Sequence, residues 1–133
     1  MKDILVPIAP GELIDKLTIL QLKSENITDP VKLANVKHEY TVLKAVADAH
    51  IPASAKMTAL WQKLYAINAD LWVIEDDIRA FEGRGDFGAG FVALARAVYV
   101  TNDQRAAVKK EMNLLLGSAI VEEKSYYSPT ENT

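Results

Sequence analysis

Asn68, Trp72, Glu75 and Arg79 are the residues of this chain best suited by type and spacing to do chemistry. Steps of four, three and four place them on one helical face. Such a face can work as a binding surface. Arg79 can grip a carboxylate or phosphate through its forked donors, Trp72 offers a flat stacking face, and Asn68 supplies an orienting amide. The plain alternative is a core edge carrying a surface ion pair. Glu75 and Arg79 are four residues apart, and an exposed pair of that kind contributes only about 0.2–0.5 kcal/mol. Asp76 and Asp77 extend the carboxylate run. A run of this kind is usually a solvated face, and no metal site is expected from it.

Arg96 is the second candidate. It stands alone in the otherwise apolar string Phe91-Val92-Ala93-Leu94-Ala95-Arg96-Ala97-Val98-Tyr99-Val100. A helix apolar on all sides is a buried helix, so its single guanidinium is expected to find a carboxylate or an anionic ligand. Thr101-Asn102-Asp103-Gln104 reads as a capping box, which would start a new helix and aim free N–H groups at an anion. Capping alone also accounts for it. Arg105, Lys109 and Asn113 follow on one face, with Lys110 alongside. That is ordinarily a solvated face, but with Arg79 and Arg96 it would make a basic pocket.

Other polar strings have simpler readings. Glu12 and Asp15 begin a helix, where acidic side chains favour the positive end of the helix dipole. Gly83-Arg84-Gly85 lacks the Gly-Lys-Ser/Thr of a P-loop and has no strand before it. His38 and His50 face no evident partner. Glu122-Glu123-Lys124-Ser125-Tyr126 follows an apolar lead-in, so the segment is expected to dock on the bundle or on a neighbouring subunit.

The elements that must position these groups are helical. The apolar run 4–8 reads as a short extended arm or single strand, flanked by prolines. A first helix follows Pro10-Gly11 with Leu13, Leu17 and Leu20 on one face, and ends near Glu25. Asp29-Pro30 is a start signal, cap then first-turn proline. That second helix turns Leu33, Val36, Tyr40, Leu43 and Val46 inward. Ser54 caps a long third helix whose apolar stripe runs from Met57 to Phe81. A glycine-rich loop, a fourth helix ending at Val100 and a fifth running from the Thr101 cap to Leu116 complete the chain, with Gly117 as the stop. The expected fold is all-α: a single-domain bundle of about five helices over residues 1–127, with an extended N-terminal arm and a disordered tail at 128–133.

Composition narrows the function. The chain has 133 residues, of which 50% are hydrophobic and 25% charged, and a formal net charge of -3. That is the profile of one globular domain, with no bulk attraction to nucleic acid or an anionic membrane surface. There is no cysteine, so disulfides, thiolate nucleophiles and zinc–thiolate or iron–sulfur sites are excluded within these residues. No apolar stretch approaches membrane-spanning length. A cytoplasmic location is expected.

Taken together, Gly11-Glu12-Leu13-Ile14-Asp15-Lys16-Leu17-Thr18-Ile19-Leu20, Leu71-Trp72-Val73-Ile74-Glu75-Asp76-Asp77-Ile78-Arg79, Ala95-Arg96-Ala97-Val98-Tyr99-Val100-Thr101-Asn102-Asp103-Gln104-Arg105-Ala106 and Glu122-Glu123-Lys124-Ser125-Tyr126 resemble a family of small bacterial proteins grouped as a domain of unknown function. The resemblance spans about Ile4 to Tyr126. It implies one recurring design and brings no activity, cofactor or catalytic residue with it. The expectation is a pocket for a small anionic molecule (a phosphate ester, sugar nucleotide or carboxylate) lined by Asn68, Trp72, Glu75, Arg79, Arg96, Tyr99, Asn102, Asp103 and Arg105. No cofactor is expected. The competing expectation is an assembly or adaptor protein, a homo-oligomer whose polar strings are buried ion-pair networks.

Overall fold

A proline in the first turn of a helix sacrifices no hydrogen bond, and two helices of this chain start on one. The computed structural model describes residues 1–127, and the expected disorder of 128–133 lies outside the described residues. It holds α1 (Pro10–Asn26), α2 (Pro30–His50), α3 (Ala55–Gly83) and α4 (Ala89–Leu115). No strand occurs among the described residues, and the arm before α1 has no regular structure. The Asp29 side chain accepts from the Lys32 N–H at 3.0 Å and that of Ser54 from the Met57 N–H at 3.0 Å, as the two start signals require. At the end of α4, Gly117 adopts φ +63°. The Ser118 N–H then reaches back to the Asn113 carbonyl and the Gly117 N–H to that of Leu114, a Schellman stop.

The helix count is four rather than five. Thr101 lies inside α4, not at a helix start, and no N-terminal N–H groups are free there. No glycine or proline separates Phe91 from Thr101, so nothing ends the preceding helix. Poor helix formers at 101–103 are carried by their tertiary surroundings, which outweigh propensity.

α1 is the central element and packs against each of the other three helices. One side of it presents Ile14 to Met57, Leu64 and Ile67 of α3 and to Val108 and Met112 of α4. The other presents Leu13 and Leu17 to Ala47, with Tyr40, Leu43 and Trp61 packed around them. Ala47 replaces the expected Val46, which is turned out to solvent. α3 and α4 form the most extensive pair. At its far end the aromatic ring of Phe81 lies so close to Gly90 that a Cβ there would stand 2.9 Å from it. α3 rises along roughly 43 Å and α1 along roughly 25 Å. The outer half of the α3–α4 hairpin therefore extends beyond the three-helix contact, and no residue from 69 to 100 is fully buried.

Candidate functional site

α1 is enclosed by three neighbours, so its polar residues are carried inside with its leucines. Asp15 is 1% exposed and Thr18 fully buried. A carboxylate so placed must be matched by donors, since an uncompensated buried charge is strongly destabilising. α3 and α4 supply them. Asn68 Nδ2 donates to Asp15 Oδ1 and to Thr18 Oγ1, both at 2.9 Å, while the Thr18 hydroxyl donates to the Asp15 carbonyl at 2.8 Å. Arg105 closes on the same carboxylate with two donors, Nε to Oδ1 at 2.8 Å and Nη2 to Oδ2. Such a fork-on-carboxylate contact fixes orientation as well as charge. Donating to the Asp15 carboxylate raises the Arg105 pKa above its ordinary value, with the nearby Glu12 and Glu122 charges adding to it.

The seam continues down α4. Lys109 Nζ lies 2.5 Å from Glu12, 3.8 Å from Asp15 and 3.7 Å from Glu122. Asn113 Oδ1 accepts the Gly11 N–H at 2.8 Å, capping α1 from a distance because Ala9 offers no side-chain cap. Residues 105, 109 and 113 do share one face, as their spacing requires, but that face meets α1 rather than solvent.

Two donors of Asp15's arginine are used, and its Nη1 has only a 3.5 Å contact, to Asn102 Oδ1. Arg105 and Asn102 lie on the shared wall of two clefts. The smaller, about 400 Å³, opens between α3, α4 and the second half of α1. It gathers Asn68, Trp72, Glu75, Arg79, Asn102 and Arg105, with Ile19, Leu22 and Leu71 as apolar wall and Asp76 at the side. The larger, about 960 Å³, lies between α4, the start of α1 and the chain after Gly117, and takes in Tyr99, Asp103, Lys109 and Lys110. Lys124 pairs with Asp103 at 2.8 Å across it.

A scan against family models matches residues 4–133 of the chain. The chain belongs to the family of unknown function DUF6165. The match takes in both clefts and the seam beneath them. No curated protein and no solved structure shows a match to this DUF6165 chain.

Of the nine residues expected to line one pocket, eight are divided between the two clefts, sharing only Asn102 and Arg105, and Arg96 is the exception. It is exposed and lines neither cleft. Its apolar surroundings imply burial only if a further element covers them, and no residue from 89 to 100 is buried. Arg79 does reach the smaller cleft but pairs with Glu75 at 3.2 Å, its side chain 75% exposed. Neither cleft is a basic basin. Arg79 and Arg105 face Glu75 and Asp76 in one, and Arg105, Lys109, Lys110 and Lys124 face Glu12, Asp103, Glu122 and Glu123 in the other. Among the described residues, no three His, Asp or Glu side chains are grouped to hold a metal ion.

Asp15, Thr18 and the Gly11–Asn113 contact are the parts that a helix-dipole reading of α1 passes over. A signal for them exists in the string itself. Leu13-Ile14-Asp15 and Leu17-Thr18-Ile19-Leu20 set Asp15 and Thr18 among apolar residues, a pattern that allows burial and leaves the number of covering helices to the assembled bundle.

Proposed function

We propose that this protein binds a small anionic molecule (a phosphate ester, sugar nucleotide or carboxylate) where the two clefts meet. The observation that supports this is the posture of Arg105. A buried carboxylate holds two of its donors and leaves Nη1 on the cleft wall beside Asn102. An arginine held in place from behind loses little side-chain entropy when it meets a ligand's oxygen atoms. Asn68 and Asn102 flank it with amides, and Trp72 gives the smaller cleft an aromatic wall suited to a ring. The reading is one of binding: among the described residues, neither cleft is lined by a histidine, a cysteine or another evident nucleophile–base pair.

The test is a thermal-shift and calorimetric titration with inorganic phosphate, a nucleoside diphosphate sugar and a dicarboxylate. A ligand present at a hundred times its Kd stabilises the fold by about 2.7 kcal/mol. At least one class is expected to raise Tm. Asn102→Ala and Trp72→Leu leave Asp15 fully paired, so they are expected to fold and lose that shift. Silence from all three classes, or a shift unchanged in both variants, would falsify the reading.

One observation favours the competing reading, self-association. The hairpin over 69–100 has no buried residue and exposes Val73, Phe87, Val92 and Val100. Paired α3–α4 hairpins would give each other the missing layer. Val73→Lys with Val92→Lys is expected to halve the mass measured by light scattering. A wild-type chain monomeric at high concentration rules this reading out.

A further inference from the structure

The larger cleft owes one wall to the chain after α4, and how that wall is held carries a further inference. The positive φ of Gly117 and the hydrogen bonds around it turn the chain back along α4. The segment then climbs the helix in the opposite direction: Glu122 stands at Lys109, and Lys124 lies higher, at Asp103. Residues 119–127 are all exposed, so burial contributes little to holding them. Among the described residues, what ties the segment to α4 is charge: Lys109 with Glu122 at 3.7 Å and Lys124 with Asp103 at 2.8 Å. Each pair has one well-exposed partner, Glu122 at 71% and Asp103 at 63%, so both pairs are weakened by solvent and screened by salt.

The Glu122 carboxylate also stands where an incoming anion would stand. It faces Lys109, whose neighbour one helical turn away is Arg105. Glu122 adds to the negative field that raises the Arg105 pKa.

We propose that residues 118–127 form a strap over the anion site and that Glu122 is its built-in competitor, displaced when an anion settles on Lys109 and Arg105. This rests on the anion-binding reading above. No covalent change is involved. One carboxylate leaves Lys109 as another anion arrives, and the segment beyond it lifts from Asp103. Because the two events are linked, a bound anion weakens strap closure by the same factor as the closed strap weakens anion binding, and loosening the strap tightens anion binding.

The test uses the full chain, inorganic phosphate as probe, and tryptic cleavage after Lys124 as the reporter of strap release. Sodium chloride at matched ionic strength gives the baseline, since screening alone also loosens the strap. Phosphate is expected to speed cleavage beyond that baseline. Glu122→Gln is expected to speed cleavage without phosphate by about two- to fivefold, the range of an exposed ion pair, and to tighten the phosphate Kd by a similar factor. Glu122 is 71% exposed, so the variant keeps the fold. Phosphate that binds but leaves cleavage at baseline, or a Kd unmoved by Glu122→Gln, overturns the strap and leaves the binding reading standing. If phosphate binds neither form, the strap proposal fails, and the binding reading fails with it only if the nucleotide-sugar and dicarboxylate titrations are also silent.

Discussion

Asp15 is held by donors from two helices, so its removal leaves the Arg105 guanidinium and the Asn68 amide without that acceptor and takes one carboxylate away from Lys109. Truncating one member of a buried pair ordinarily costs about 3–5 kcal/mol. The Arg105 side chain is 29% exposed and can turn partly to water, which argues for the lower end. Asp15→Ala is expected to lower unfolding stability by about 3 kcal/mol in urea titration, and Arg105→Lys by less, because the charge remains. Tyr65 gives a prediction in pH. Its hydroxyl donates to Glu25 at 2.6 Å, and this bond raises its pKa above the ordinary 10.0. The folded pKa then exceeds the unfolded one. The stabilisation is fully present below pH 10 and drains away as pH rises through the raised value. Tyr65→Phe is expected to be slightly less stable than wild type at neutral pH, with the gap closing in alkaline titration above pH 10. A gap that widens there overturns this account.

At the scale of the element, two of the cap signals do what their residue types require and one does not. Ser54 and Asp29 each follow a short turn and precede an apolar-periodic run, so the local chain alone decides them. Ser54→Ala is expected to cost about 1 kcal/mol in chemical denaturation. Thr101 has the same local pattern but no break before it. Its hydroxyl makes no hydrogen bond among the described residues, and Thr101→Val is expected to change stability by less than about 0.5 kcal/mol. A loss near 1 kcal/mol would show that the residue caps after all. The same lesson applies to charge. Asp15 and Arg96 both sit in apolar strings, yet one is buried and the other exposed. The periodicity of a helix tells which side is apolar, not how many neighbours it has.

Across the whole molecule, burial is uneven. The inner halves of α3 and α4 enclose α1 with Met57, Leu64, Val108 and Met112, while the outer halves bury no residue from 69 to 100. Local opening free energy follows buried contacts. Amide hydrogen exchange is expected to be slowest in α1 and around residues 64 and 108, and faster by orders of magnitude over 73–98. Uniform protection along α3 and α4 in dilute solution would mean that something covers the hairpin. A second copy is the occupant the self-association reading supplies, and protection that grows with concentration would identify it.

The amino-acid sequence by itself determined the all-α class, three of the four helix starts, the stop at Gly117 and the face shared by Arg105, Lys109 and Asn113. Each rests on short-range backbone hydrogen bonding and on a 3.6-residue period, and both are local. It also put Asn68, Trp72, Glu75 and Arg79 on one side of α3, and all four line the smaller cleft. Only the tertiary structure decided which charged residue lies inside. α1 is the shorter helix with three neighbours, so Asp15 is sealed in and Arg105 is drawn to it. No residue of α4 from 89 to 100 is buried, and Arg96 stays in water. Burial depends on how many elements converge on a residue, and that count is a property of the assembled helices.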